Sequence, residues 1–212
     1  MIELDAVEAR VLGCLIEKEI TTPEYYPMTL NALLNACNQK SNRDPAVSYE
    51  EEEVVEALET LKHKQLLSTL TGGGNRVPKY GHRLQEKMNL GRRQTALLCE
   101  LLLRGPQTVG ELKDRAGRMH RFTDLEEVER TLGAMEFARL LPKQPGMKEP
   151  RWAQVLTGEP MLAPVTNAAF ISAPLAAARG DRMGELESEI ASLRQRVEEL
   201  EQQMAKLAQL FS

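Results

Sequence analysis

One order of segments occurs twice in this chain, and that repetition limits the possible folds more than any single motif. Ala9–Ile20 and Gln94–Arg104 are short aliphatic helices, built on Val11, Leu12, Leu15 and Ile16 and on Leu97, Leu98, Leu101 and Leu102. A break containing Pro follows each, TTPEYYP in the first copy and GPQT in the second. A second short helix comes next, Thr29–Cys37 and Val109–Ala116, then a polar turn and a longer helix. In the longer helices Val54, Leu58 and Leu61, and likewise Val128, Leu132 and Met135, fall at i, i+4, i+7. That spacing gathers them on one face for packing against a core. Ser48-x-x-Glu51 and Thr123-x-x-Glu126 fit the capping box that opens such helices. Each helix is predicted to end in an aliphatic pair, Leu66-Leu67 or Leu140-Leu141. Turn residues and an aromatic segment follow, GGGNRVPKYGHRL and PKQPGMKEPRWAQVL, which read as hairpins.

Helix, helix, helix, hairpin, in the same order twice, predicts tandem winged-helix domains. The expected fold class is mainly α with small β-wings (α+β), with domains over residues 1–85 and 86–156. Residues 157–184 turn to Pro, Ala, Gly and small polar residues without a sustained period. They read as a flexible linker with a reach on the order of 30 Å. Residues 185–212 change character again. Leu186, Leu193, Leu200 and Leu207 are seven apart, and so are Ile190, Val197, Met204 and Phe211. This is a heptad seam, and β-branched residues at a with Leu at d favour two parallel strands. Across such a pair Arg182 meets Glu187, Glu189 meets Arg194, and Arg196 meets Glu201, all attractive. The expectation is a homodimer through the C-terminal helix, the competing arrangement being a lone amphipathic helix folded back on the body.

Composition narrows the class further. Of 212 residues, 42% are hydrophobic and only 4% aromatic, so the cores must be aliphatic. No apolar run reaches the roughly 20 residues that cross a bilayer. The N-terminal apolar run is broken by Glu and Arg, unlike a signal peptide, so a cytoplasmic protein without a membrane partner is expected. Cys14, Cys37 and Cys99 form no CxxC and read as small buried hydrophobes. With three scattered histidines, neither a metal nor a cofactor is expected, and no catalytic constellation stands out, so no enzymatic activity is expected.

Several stretches, EARVLGCLIEKEITTPEYYPMTLNALLNACNQKSNRDP, GGGNRVPKY and LLLRGPQTVGELKDRAGRMHRF, closely resemble the uncharacterised bacterial YceH-like family. The resemblance covers about residues 2–160, leaving the heptad segment outside. It implies the same tandem winged-helix fold and transfers no activity and no catalytic residues.

A winged helix ordinarily offers its third helix to a DNA groove. Here the outward face of that helix in the first copy carries Glu52, Glu56, Glu59 and His63. A carboxylate ~4 Å from a phosphate costs about 1 kcal/mol in bulk water and about 4 kcal/mol at an effective dielectric of 20. Non-specific DNA binding is worth only roughly 5.5–8 kcal/mol in all, so three such contacts cancel most of it. The glutamates also have a plainer role, since carboxylates in a first turn complement the helix dipole. In the second copy the equivalent face carries Glu126, Arg130, Gly133 and Phe137 and is not basic either.

The net charge is −4, with residues 86–160 alone mildly basic at +2. The chain therefore reads as a dimeric adaptor or regulatory scaffold for an unidentified protein partner. The candidate interaction surface comprises Lys40, Arg43, Glu52, Glu56, Glu59, Arg76 and Lys79. The alternative is a transcription regulator that contacts DNA through the second domain and the wings, touching the DNA backbone with Arg92, Arg93, Arg115, Arg118 and Arg121. Each of these basic residues also reads simply as a solvated surface charge.

Overall fold

The computed structural model describes residues 2–158, apart from 73, 74 and 144; the side chains of 72–76 also lie outside the described ones. By packing the chain divides into Met1–Met161 and Leu162–Ser212. The heptad helix and all but the first two residues of the predicted linker fall beyond the described residues.

Asp5 caps the first helix, α1 (Ala6–Thr21): its carboxylate accepts from Glu8 N at 2.8 Å, and Glu8 accepts from Asp5 N at 2.7 Å. A single 3-10 turn, Pro23–Tyr25, leads to the two-residue strand β1 (Met28–Thr29) and helix α2 (Leu30–Cys37), capped by Thr29. Helix α3 (Glu51–His63) and the hairpin β2 (Leu67–Gly72) and β3 (Asn75–His82) complete the first copy. A five-residue helix, α4 (Leu84–Met88), ends on Asn89 in the left-handed region and leads into α5 (Arg92–Arg104). The second copy continues with α6 (Val109–Ala116), α7 (Leu125–Gly133), β4 (Ala138–Leu141) and β5 (Arg151–Gln154). The fold is thus mixed, helices with small antiparallel sheets.

The sheets hold two features the sequence pattern did not announce. β1 pairs with β3, Met28 opposite Tyr80, so the first hairpin is a three-stranded sheet in the order β1-β3-β2. In the second copy Gln107 forms the corresponding bridge, exchanging 2.9 and 2.7 Å backbone hydrogen bonds with Trp152. A strand of two residues or one has no periodicity to read.

Both expected capping boxes are displaced. Asn38 exchanges 2.8 Å hydrogen bonds with the N–H and the carbonyl of Tyr49, holding that residue outside the helix. α3 therefore starts two residues later than Ser48 would place it, with Glu53 accepting from Glu50 N at 2.9 Å. In α7 the capping carboxylate is that of Asp124, which accepts from Glu127 N at 2.7 Å, while Glu127 accepts from Thr123 N. The aliphatic pairs lie beyond the helices: α3 stops at His63 and α7 at Gly133, and Leu67, Leu140 and Leu141 belong to strands.

One aliphatic core runs through both copies. α1 is buried from Glu8 to Glu17 and α5 from Thr95 to Leu103. A helix apolar nearly all round must be covered all round. Each is packed by its own copy on one side and by the other copy's first helix on the opposite side. They come close at Gly13, where a Cβ would lie 2.7 Å from Leu103 Cδ2. Aligning Val11 with Leu97 makes Gly13 equivalent to Cys99, and Cys99 Sγ donates to Gly13 O at 3.3 Å. The two copies thus cross at the same position of their shared plan. Main-chain bonds from Leu4 N to Leu156 O and from Asp44 N to Leu103 O, 2.6 and 2.9 Å, tie the ends of this seam.

Candidate functional site

Val54, Ala57, Leu58 and Leu61 turn one side of α3 into the core, which directs the glutamates outward. Glu51, Glu52, Glu56 and Glu59 are exposed and, with Val55, line an open groove of about 240 Å³. The fold therefore presents the carboxylate surface that the sequence placed there. In the second copy Glu126, Arg130 and Gly133 are exposed and Phe137 is half-buried.

The basic candidates separate into distinct environments. Lys40 is exposed, and Lys79 is half-buried on β3. The side chain of Arg76 lies outside the described ones. Arg43, expected at the surface, is buried instead: its side chain is 0% exposed. Nη2 and Nη1 reach Glu17 Oε2 and Oε1 at 2.6 and 3.2 Å, and Nε donates to Ala36 O at 3.1 Å. Glu17 is itself enclosed by the seam between α1 and α5. A guanidinium matched to it there forms a two-pronged internal tie rather than a surface charge.

Arg118 joins the same tie from the second copy, 2.6 Å from Glu17 Oε1 and 3.1 Å from Glu100 Oε1. Burial opposes charge on Glu17, but the hydrogen bond and charge of Arg43, with Arg118 and Lys18 beside it, hold its carboxyl below the usual range. Arg118 is shifted the other way: burial would lower it, yet the facing Glu17 and Glu100 raise it. Arg115 donates to Gln107 Oε1 at 2.7 Å and pairs with Glu111 at 3.3 Å. Arg93 pairs with Glu127 at 3.1 Å. Of the residues named for DNA backbone contact, Arg92 and Arg121 remain exposed and, among the described residues, without an ion-pair partner. Arg92 and Arg93 border a cavity of about 460 Å³ with His120 and Thr131.

The residues that organise the seam, Glu17, Glu100, Arg104 and Gln107, were not among the sequence candidates. A signal was present: Glu17 and Glu100 interrupt runs of apolar residues, in LIEKEI and LLCELLLR. Carboxylates inside an otherwise apolar helix need a cation or they are not buried. The heptad positions Leu186 to Leu207 and the side chain of Arg76 fall outside what the structure describes. Among the described residues no three His, Cys, Asp or Glu side chains gather as a metal would require, and no helix is long and apolar enough to cross a membrane.

Comparison with known proteins finds the same span and more. A family model described as "Protein of unknown function, DUF480" matches residues 4–147. A UPF0502 protein of Solibacter usitatus is 52% identical over 204 residues, covering 93% of this chain and 96% of the relative. One from Geotalea uraniireducens is 54% identical over 198 residues, 89% of each chain. One from Citrifermentans bemidjiense is 52% identical over 193 residues, 89% of this chain and 88% of the relative. Matches of that length extend past residue 160, so the likeness takes in part of the C-terminal segment as well. With most of its length shared at about half identity and the family model matching residues 4–147, the chain belongs to the uncharacterised bacterial family DUF480.

Proposed function

We propose that the chain is a non-enzymatic tandem winged-helix protein that works as a dimeric adaptor or regulatory scaffold, with the α3 face meeting a basic protein partner. Two repeats of helix, helix, helix and hairpin, with the strand β1 in the first matched by the single bridge at Gln107 in the second, support the winged-helix reading. A cytoplasmic location and dimerisation through the heptad segment complete the proposal. The observation that carries it is the exposed carboxylate row Glu52, Glu56 and Glu59 beside Val55 on the helix that would otherwise enter DNA. A low-dielectric protein partner with matching lysines or arginines gains from that row, whereas a polyanion is repelled by it.

DNA binding through the second copy is the alternative. What favours it is that Arg92 and Arg121 are exposed; what weakens it is that Arg93, Arg115 and Arg118 already have carboxylate partners. The full-length protein distinguishes the two readings. Wild type and the triple variant Glu52→Lys, Glu56→Lys, Glu59→Lys are compared in pull-downs from a bacterial lysate and in gel shifts with random duplex at low salt. The adaptor reading expects a specific partner that the triple variant loses, and no duplex shift by wild type. Sub-micromolar duplex binding abolished by Arg92→Glu with Arg121→Glu, and falling steeply with salt, would replace it with the DNA reading.

A further inference from the structure

The seam between the copies holds more positive charge than its carboxylates balance. Three carboxylates, Glu17, Glu100 and Glu111, lie within ion-pair distance of six cations: Lys18, Arg43, Arg104, Arg115, Arg118 and Arg151. Gln107 links the two ends of this set, accepting from Arg115 at 2.7 Å and donating to Glu100 O at 2.9 Å. The nearby Asp44 and Asp114 are exposed and, among the described residues, pair with none of the six. Even counting both, cations exceed anions, in a protein whose total charge is −4.

Apart from Arg43, these cations are partly exposed. The side chains of Arg104, Arg115 and Arg118 are 19%, 33% and 33% exposed; Arg104 and Arg118 meet at Glu100, Arg115 is joined to it through Gln107, and Arg104 Nη2 also donates to Asn42 Oδ1. Burial, with Arg115, Arg118 and Arg43 adding to it, holds the Arg104 pKa below the usual value despite Glu100. Its Nε, screened from solvent, lies 3.1 Å from Glu100 Oε2, yet neither atom makes a hydrogen bond. Like charges held together out of bulk water are costly unless an anion joins them. Planar N–H donors suit an oxyanion with several acceptor oxygens.

We infer that the outward side of this seam network, at Arg104, Arg115 and Arg118, is a binding site for a phosphate group. The phosphate would bridge guanidinium groups anchored in the two copies, since Arg118 is already tied to Glu17 of the first. Free phosphate and a phosphomonoester share the necessary chemistry.

The test is a thermal-unfolding titration of the full chain with sodium phosphate against sodium chloride at matched ionic strength, with a nucleoside 5′-monophosphate as a second arm. A ligand that binds only the native state raises the unfolding midpoint along a saturating curve. Saturation is expected in one or both arms, and the stronger arm identifies the source. Arg104→Gln and Arg115→Gln are each expected to weaken apparent affinity about tenfold or more, the worth of a charge-assisted hydrogen bond. Arg83→Gln, whose partner is Glu86 and which is no part of this network, is expected to leave it unchanged. Only the ligand-dependent increment is read, so a lower starting stability in a variant does not obscure the result. No saturating rise in either arm overturns the inference, and so does a rise that both seam variants retain in full, which marks general salting rather than a site.

Discussion

Arg43 shows how far the surroundings of a residue can depart from its neighbours in sequence. It sits in NQKSNRDP among exposed side chains, yet its guanidinium is enclosed between α1 and the end of α2. Removing one partner of a buried, hydrogen-bonded pair leaves the other charge uncompensated, at a cost of about 3–5 kcal/mol. Arg43→Ala is expected to lose that much in urea unfolding, while Lys40→Ala, exposed three residues earlier, is expected to change little. Glu17 adds a pH signature. Its carboxyl is held below the ordinary value of 4.5, so its contribution is whole above that pH and is lost as pH falls through and below it. Unfolding midpoints of wild type and Glu17→Gln, followed from about pH 6 down to about pH 3, should therefore differ most at the upper end and converge in acid. Parallel curves would mean that Glu17 is not the titrating contributor.

The order of elements was legible because it rests on long apolar periods. α1, α2, α3, α5 and α6 are where repeating Leu, Ile and Val placed them, give or take a turn at the ends, whereas α7 stops at Gly133, about two turns short of the predicted Leu140. What was not legible depends on partners distant in sequence. Asn38 fixes the start of α3 through Tyr49, and the first strand exists only because β3 lies beside it. The outward acidic face of α3 was readable from the helical period alone, whereas the surroundings of the basic candidates were not, because exposure of an arginine depends on which carboxylate the fold brings near. Packing of α1 on α5 gives a prediction at this scale. Gly13 is the point of contact: any Cβ there would press on Leu103 Cδ2 at 2.7 Å and Cγ at 2.9 Å, both in a fully buried side chain. Glycine costs a helix roughly 1 kcal/mol relative to alanine, so an open site would gain from substitution. Overpacking costs about 1–3 kcal/mol and wins here. Gly13→Val is expected to lose stability by about that amount in denaturant unfolding, whereas Gly133→Ala, with nothing within 4 Å of its Cβ, is expected not to. Equal effects at the two glycines would show that α1 and α5 are not in close contact.

For the whole molecule, the shared core and the heptad segment make separate demands. The proposed dimer is tested by sedimentation: the full chain should give a dimer and a chain ending at Gly184 a monomer, with equal masses rejecting it. The core makes a demand within one chain. Leu12, Leu15 and Ile16 of α1 and Leu97, Leu98 and Leu101 of α5 belong to one cluster, and the ties at Leu4–Leu156, Asp44–Leu103 and Glu17–Arg118 all join first copy to second. A repeat that buries its face only against its neighbour derives much of its stability from that interface. A chain ending at Leu90 would leave the α5-facing side of α1 bare around Gly13 and would strand Glu17 with one cation fewer. It is therefore expected to show no cooperative thermal transition, while the chain ending at Gly184 unfolds in a single step. Two separate transitions in the longer chain, or a sharp one in the shorter, would mean that each copy is stable by itself and that the seam joins finished domains. One step would mean that the α3 face and the second copy's turn are held at a fixed spacing, as a partner touching both surfaces requires.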